Sequence, residues 1–218
     1  MVTLSEENYL KAIYHLGKQG MLAVTTNAIA EQMDTKASSV TDMLKKLSDK
    51  NLANYVKYQG VSLTEEGRLA AALVVRKHRL WEVFLVEKLQ FSWDEVHDIA
   101  EQLEHIKSLK LVDELDAFLG CPTHDPHGDP IPDKHGNIGK MNKIFLAQLN
   151  PNDHCICIGV SDSSADFLKY LDKHQIALGT SIEIISKETF DESMTIKVNN
   201  ALLNISKIVS NNIYVKKA

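Results

Sequence analysis

Histidine and carboxylate side chains recur at helical spacing in the middle of the chain. His78 and Glu82 stand at i and i+4, and His97, Glu101, Glu104 and His105 at i, i+4, i+7 and i+8. On a helix each set lies along one face. Two such faces turned towards one another present imidazoles and carboxylates to a divalent cation. Manganese(II), iron(II), cobalt(II) and zinc(II) accept that mixture, and the lack of thiolate in the set disfavours structural zinc. The competing reading of any one pair is an ordinary ion pair on a helix surface. The following loop, CPTHDPHGDP, adds Cys121, His124, Asp125 and His127. Beside the acidic helices these would be further ligands; alone they make a polar turn.

The elements that must position these residues are legible as patterns. In SEENYLKAIYHLGKQG, Tyr9, Leu10, Ile13, Tyr14 and Leu16 fall at helical spacing, with Ser5 as the expected N-cap and acidic residues in the first turn. TTNAIAEQM and KASSVTDMLKKLSDKNL predict two short helices around a tight turn, a helix-turn-helix. NYVKYQGVSL reads as a β-hairpin turning at Gln59-Gly60, placed where a winged helix carries its wing. Thr64 caps a long helix over 65–89. A capping box of Ser92 and Glu95 opens a helix over 93–106, and a third helix spans 108–119.

Residues 120–142 hold four of the five prolines and form an irregular linker. Beyond it, KIFLAQL, CICIGV, SIEIIS, MTIKV and ISKIV are strand-like, with one helical stretch, SADFLKYLDKH, between the second and third. That composition suits a small β-barrel. The fold class expected is α+β, in three parts. Residues 1–72 form a winged helix-turn-helix, 73–141 an all-helical metal-binding and dimerisation segment with its Pro-rich linker, and 142–218 the β-barrel domain. No internal repeat or low-complexity tract is found.

The formal net charge of −5 argues against non-specific nucleic-acid binding. Its distribution is more telling. Residues 36–57 hold Lys36, Lys45, Lys46, Lys50 and Lys57 against Asp42 and Asp49, whereas residues 76–120 carry 6 basic against 10 acidic side chains. A local basic stretch suits a phosphate backbone, and an acidic, His-rich middle suits a cation. Ser38, Ser39, Thr41 and Asp42, in the first turns of the second short helix, are candidates for base edges. Lys45 and Lys46 are candidates for phosphate contacts, and Thr26, Lys36 and, in the wing, Lys57 complete the candidate DNA-binding set.

Three cysteines make a poor disulfide framework, and the C-x-C of CICIGV reads as buried, reduced thiols. No apolar run approaches the roughly 20 residues that cross a bilayer, and the N-terminus lacks a secretory pattern. A cytoplasmic location is expected.

Taken together, RKHRLWEVFL, VHDIAEQLEH and PHGDPIP, following a winged helix with SSVTDMLKKL, resemble the diphtheria toxin repressor and manganese transport regulator family of metal-dependent repressors. The resemblance runs over nearly the whole chain. It implies a homodimer that binds iron(II) or manganese(II), two ions per subunit, then an operator in double-stranded DNA, repressing metal-uptake genes. The primary metal site it implies uses Asn8, Glu101, Glu104 and His105. Glu101 stands where the iron-type branch has cysteine, as in the manganese-type branch. The second first-helix carboxylate of some manganese regulators falls on Lys11, which cannot ligate while protonated. The ancillary site implied is His78, Glu82 and His97, completed by Asp125 and His127 of the DPHG loop and Asp166 of the barrel domain; Ser163 replaces another family carboxylate. The terminal domain is similar to one shared with ferrous-iron transport proteins. Dimerisation is expected through Val112, Leu115 and Phe118.

Two other classes stay open. A winged-helix regulator could answer to an organic ligand, with the His/Glu face structural. A metallohydrolase could use such a cation to activate water, but no nucleophile or oxyanion partner is evident, and no catalytic residue is assigned.

Overall fold

The computed structural model describes residues 2–139, 143–162 and 164–217. The elements run α1 (Leu4–Leu16), α2 (Thr26–Gln32), α3 (Ala37–Asp49), β1 (Ala53–Val56), β2 (Gly60–Leu63), α4 (Glu65–Leu89), α5 (Val96–Leu103) and α6 (Leu109–Phe118). They continue with β3 (Ile144–Phe145), β4 (His154–Val160), α7 (Ala165–Lys173), β5 (Ser181–Lys187), β6 (Met194–Val198), β7 (Ala201–Ile205), α8 (Lys207–Ser210) and β8 (Ile213–Lys217). The class is α+β, as the patterns required. Two compact units form. One takes the chain up to Trp81 with Glu101–Leu115 and Ile131–Ile138. The other takes Glu82–Ala100, Asp116–Pro130 and the chain from Gly139. Neither the expected boundary at 72/73 nor that at 141/142 marks this division: the first falls inside α4, and the second lies outside the described residues.

In the first unit, α1, α2 and α3 close on a hairpin of β1 and β2. Leu10 and Ile13 of α1, Ile29 of α2, Val40, Leu44 and Leu47 of α3, and Val61 of β2 are fully buried in one core with Ala71, Ala72 and Val75 of α4. Each large aliphatic side chain so buried contributes about 1.5–3 kcal/mol. The hairpin pairs Val56 with Gly60, so its tip is Lys57, Tyr58 and Gln59 rather than a two-residue turn. Tyr58 adopts φ +67°, which closes that loop.

The N-cap of α1 is Thr3, not Ser5. From Thr3, Glu6 falls at the third helical position. Its carboxylate accepts from the Thr3 amide at 2.8 Å and its own amide donates to Thr3 Oγ1 at 3.3 Å, a capping box. The same carboxylate meets Nζ of Lys50, the C-cap of α3, at 2.7 Å. This tertiary ion pair favours the earlier frame.

The second unit centres on a six-stranded antiparallel sheet of order β3-β8-β4-β5-β6-β7. Its inner face carries Cys155, Cys157, Ile182, Ile184, Met194, Ile196, Ile205, Ile213 and Val215. Leu168 and Leu171 of α7 cover it and Trp93 packs on its margin. Burial pushes the Cys155 thiol up to about 12, so it stays a thiol. The ISKIV run is not a strand. Ile205 ends β7, and Ser206 accepts from the Val209 amide at 3.3 Å to cap the short α8. The last strand, β8, lies beyond it.

The helix expected over 93–106 begins only at Val96, because the Ser92–Glu95 box closes a turn first: Ser92 donates from its amide (3.0 Å) and its hydroxyl (2.7 Å) to Glu95 Oε2.

One five-residue turn occurs twice, in DPHGD (125–129) and DKHGN (133–137). In each, an aspartate Oδ1 accepts from the amides two and four residues on, and glycine at φ near +80° closes the turn. Only the first is buried.

Candidate metal centre and nucleic-acid interface

The surface of α3 is arranged as the sequence required. Lys36, Ser38, Ser39, Asp42, Lys45 and Lys46 are exposed, and Thr26 and Thr41 half-buried. The apolar face, Val40, Leu44 and Leu47, holds the helix down on the core, which turns the polar face outwards. Thr41 donates to the Ala37 carbonyl at 2.9 Å, and Lys45 lies 3.4 Å from Asp42. Lys57 sits exposed at the wing tip, 5.0 Å over the Tyr58 ring. Lys50, the fourth lysine of the basic stretch, is drawn instead to Glu6.

In the second unit Glu82, Asp125 and His127, all buried, bring one ligand atom each to within 4.8 Å of one another. Glu82 comes from α4, while Asp125 and His127 come from the first copy of the turn. Asp125 Oδ1 accepts from the amides of His127 and Asp129, both at 2.9 Å, which sets the loop's shape. Gly128 adopts φ +83°, and a Cβ there would collide with the Ile158 carbonyl oxygen of β4. His127 Nε2 donates to the Trp93 main-chain oxygen at 3.3 Å, which turns Nδ1 towards Glu82 Oε2 at 3.7 Å. Such a partner on the far nitrogen orients a ligating imidazole. Burial lowers the His127 pKa, but Glu82, Asp125 and the Trp93 carbonyl outweigh it and hold the group at about 8. His97 Nδ1 is 3.5 Å from Glu82 Oε1, with the ring half exposed. Two buried carboxylates and a buried imidazole are a donor set for a borderline divalent cation. Asp166 is exposed in the first turn of α7 and joins no three-ligand group among the described residues. Ser163 lies outside them.

The first unit carries the other acidic face. Glu104 is buried; its Oε2 accepts from His78 Nδ1 and from Lys11 Nζ, both at 2.6 Å. Lys11 Nζ also lies 3.6 Å from Glu101 and 3.3 Å from His78 Nδ1. Burial raises the Glu104 pKa, yet His78 and Lys11 outweigh it and hold the carboxyl below its ordinary value. His105 Nδ1 donates to Glu7 Oε2 at 2.6 Å, with its Nε2 3.7 Å from Glu104 Oε1. Asn8 lines a cleft of about 350 Å³ with Lys11, Glu101 and Glu104. His78 Nδ1 is thus held by Glu104. Sequence reasoning missed Glu7 and Trp93. Glu7 carries a faint signal, one turn before Lys11 on the same face of α1, and Trp93 contributes a main-chain atom, which no side-chain pattern reveals. Val112 and Leu115 are buried within the single chain, whereas Phe118 is exposed beside Phe84.

Residues 1–61 match the N-terminal DNA-binding domain of iron-dependent repressors, 64–133 their metal-binding and dimerisation domain, and 144–217 the FeoA domain. A solved manganese-dependent transcriptional repressor in complex with manganese superposes with a TM-score of 0.86. It is 32% identical, over 98% of this chain and 100% of that one. The chain belongs to the iron-dependent repressor family. Another solved member, ScaR with bound zinc, is 32% identical with a TM-score of 0.76, covering 98% of this chain and 99% of that one. The iron-dependent repressor IdeR of Mycobacterium bovis is 36% identical over 126 residues, 58% of this chain and 54% of that protein. The chain therefore spans about half the length of the curated relatives it matches.

In this member of the family the Glu82, Asp125 and His127 set fits a divalent metal ion. The Glu104 face differs, because one of its close neighbours is an ammonium group.

Proposed function

We propose that the chain is a manganese(II)- or iron(II)-responsive transcription repressor that binds palindromic operators as a homodimer and controls metal-homeostasis genes. The observation that carries this reading is the buried convergence of Glu82, Asp125 and His127 in a chain that also folds a winged helix. A cation held there would neutralise two carboxylates that otherwise repel each other. His127, oriented by Trp93, supplies Nδ1, and His97 stands beside Glu82 to join the set. A second set is Asn8, Glu101, Glu104 and His105, in which the Glu7 bond leaves His105 Nε2 on the Glu104 side. Ser38, Ser39, Thr41 and Asp42 read base edges, while Thr26, Lys36, Lys45, Lys46 and Lys57 meet phosphates. Residues 1–72 carry DNA binding, 73–141 metal binding and dimerisation, and 142–218 the accessory sheet domain. Metal acts only through its greater affinity for the form whose two recognition helices match the half-site spacing.

The test is operator binding by chelator-stripped protein, repeated with manganese(II), anaerobic iron(II) and zinc(II) against genomic fragments. Binding to a palindromic fragment switched on by one metal is the expected result. Equal binding without metal would overturn the reading. It would favour a regulator for an organic ligand, for which the first unit offers a cavity of about 270 Å³ walled by Val2, Leu73, Val74, Ile106 and Val112 beside Lys77.

A further inference from the structure

Three carboxylates of the first unit, Glu7, Glu101 and Glu104, gather beside His78 and His105. Clustered carboxylates repel one another unless a cation is present. Here two cations come from the chain itself. Lys11 Nζ sits 2.6 Å from Glu104 and 3.6 Å from Glu101, with only 14% of its side chain exposed. Lys77 Nζ lies 3.9 Å from Glu7 and is also mostly buried. An ammonium is a compact point charge with three donors and no lone pair. Where Lys11 sits, it meets the carboxylate oxygens that a metal ion would otherwise meet on the Oε2 side of Glu104.

We propose that the Lys11 ammonium is the resident cation of the Glu101, Glu104 and His78 cluster, and that it holds α1 against the 101–105 segment without any metal on that side. The tie is part of the covalent chain, so it neither dissociates nor depends on metal supply. Docking of α1 then needs no metal on the Oε2 side of Glu104, and metal response is left to the Glu82, Asp125 and His127 set and to the Oε1 side of Glu104 that His105 faces. This deepens the repressor reading, which supplies the regulatory meaning of α1 docking; the tie itself stands on the geometry alone.

Two measurements test it. The first is the number of manganese ions per subunit after equilibrium dialysis, for the whole chain and for Lys11→Glu. Reversing the charge removes the resident cation and adds a carboxylate, so Lys11→Glu should hold one more ion per subunit than the unaltered chain. An equal count overturns the proposal. The second is hydrogen exchange of chelator-stripped protein. The α1 amides of the unaltered chain should be protected without metal, and Lys11→Met should lose about tenfold or more of that protection in α1 while α7 and β4 keep theirs. Unchanged α1 protection in Lys11→Met, or an α1 unprotected in the stripped unaltered chain, overturns it as well. Neither readout uses DNA. Failure of metal-dependent operator binding would sink the repressor reading without altering the difference between the variants.

Discussion

The Nε2 of His127 lies 3.3 Å from the main-chain oxygen of Trp93. A carbonyl oxygen only accepts, so Nε2 carries the proton and Nδ1 is the atom turned to Glu82. One backbone hydrogen bond thus selects which ring nitrogen a metal ion would meet. Trp93 is held for this by packing its ring on the core of the sheet domain.

The same geometry sets opposite pH dependences for the metal-free and metal-bound protein. The folded His127 pKa, about 8, is above the ordinary 6.5. Its pairing with Glu82 therefore stabilises the metal-free fold fully below 6.5, on the order of 2 kcal/mol, and that share is lost as the pH rises through about 8. Ligation needs the neutral ring, so manganese affinity should rise with pH up to about 8 with release of about one proton per ion. Calorimetry in two buffers of different ionisation enthalpy measures that proton. A pH-independent affinity between 6.5 and 8 would remove His127 from the ligand set.

Glu82→Gln should weaken manganese binding by about 100-fold or more, since it removes a ligand rather than an outer partner, whose loss costs about 10–100-fold. The winged helix belongs to the other unit, so its thermal unfolding should be unchanged. Dialysis against a metal buffer and circular dichroism check the two parts.

Glu104→Gln should destabilise the first unit by about 3–5 kcal/mol, because it removes the buried partner of Lys11 and leaves only the half-exposed Glu101, 3.6 Å away. The folded Glu104 pKa is depressed, so its stabilisation is present above the unfolded value near 4.5 and is lost as the pH falls through the folded value. Denaturation midpoints at pH 7 and pH 3.5 should therefore differ more for the unaltered chain than for Glu104→Gln.

Gly128→Ala should disturb the 125–129 turn, because the added Cβ meets the Ile158 carbonyl oxygen. The cost of the strained φ alone is about 1–3 kcal/mol. Gly120→Ala is the control, for its φ is also positive, +77°, but its Cβ would meet open space. A larger loss of metal affinity in Gly128→Ala than in Gly120→Ala is expected; equal losses would show that the close approach to β4 is immaterial.

Replacing Lys45 and Lys46 by alanine should lower operator affinity for all sequences alike and reduce the slope of log affinity against log salt by about one per lysine. A slope unchanged in the double variant would place the phosphate contacts elsewhere.

The DNA-binding half was readable because local rules suffice there. Helical spacing in KASSVTDMLKKL set the buried Val40, Leu44 and Leu47, and the exposed face followed by exclusion. The cap of α1 is Thr3 rather than Ser5, since only Thr3 has a glutamate three residues on to close a capping box, and the Glu6–Lys50 pair reinforces that frame. Likewise ISKIV has strand composition, but Ser206 turns it into a helix and the sheet takes its last strand from the tail.

By itself the sequence determined which side chains share a helical face, because spacing of three and four residues follows from the helix repeat. Only the tertiary structure decided how those groups are shared out. It placed His127 with Glu82 through a Trp93 carbonyl and gave Glu104 to His78 and Lys11. These pairings join residues far apart in the chain and hang on distances of a few ångströms. Charge and hydrogen-bond energies change steeply over that range, and no periodicity along the chain records it.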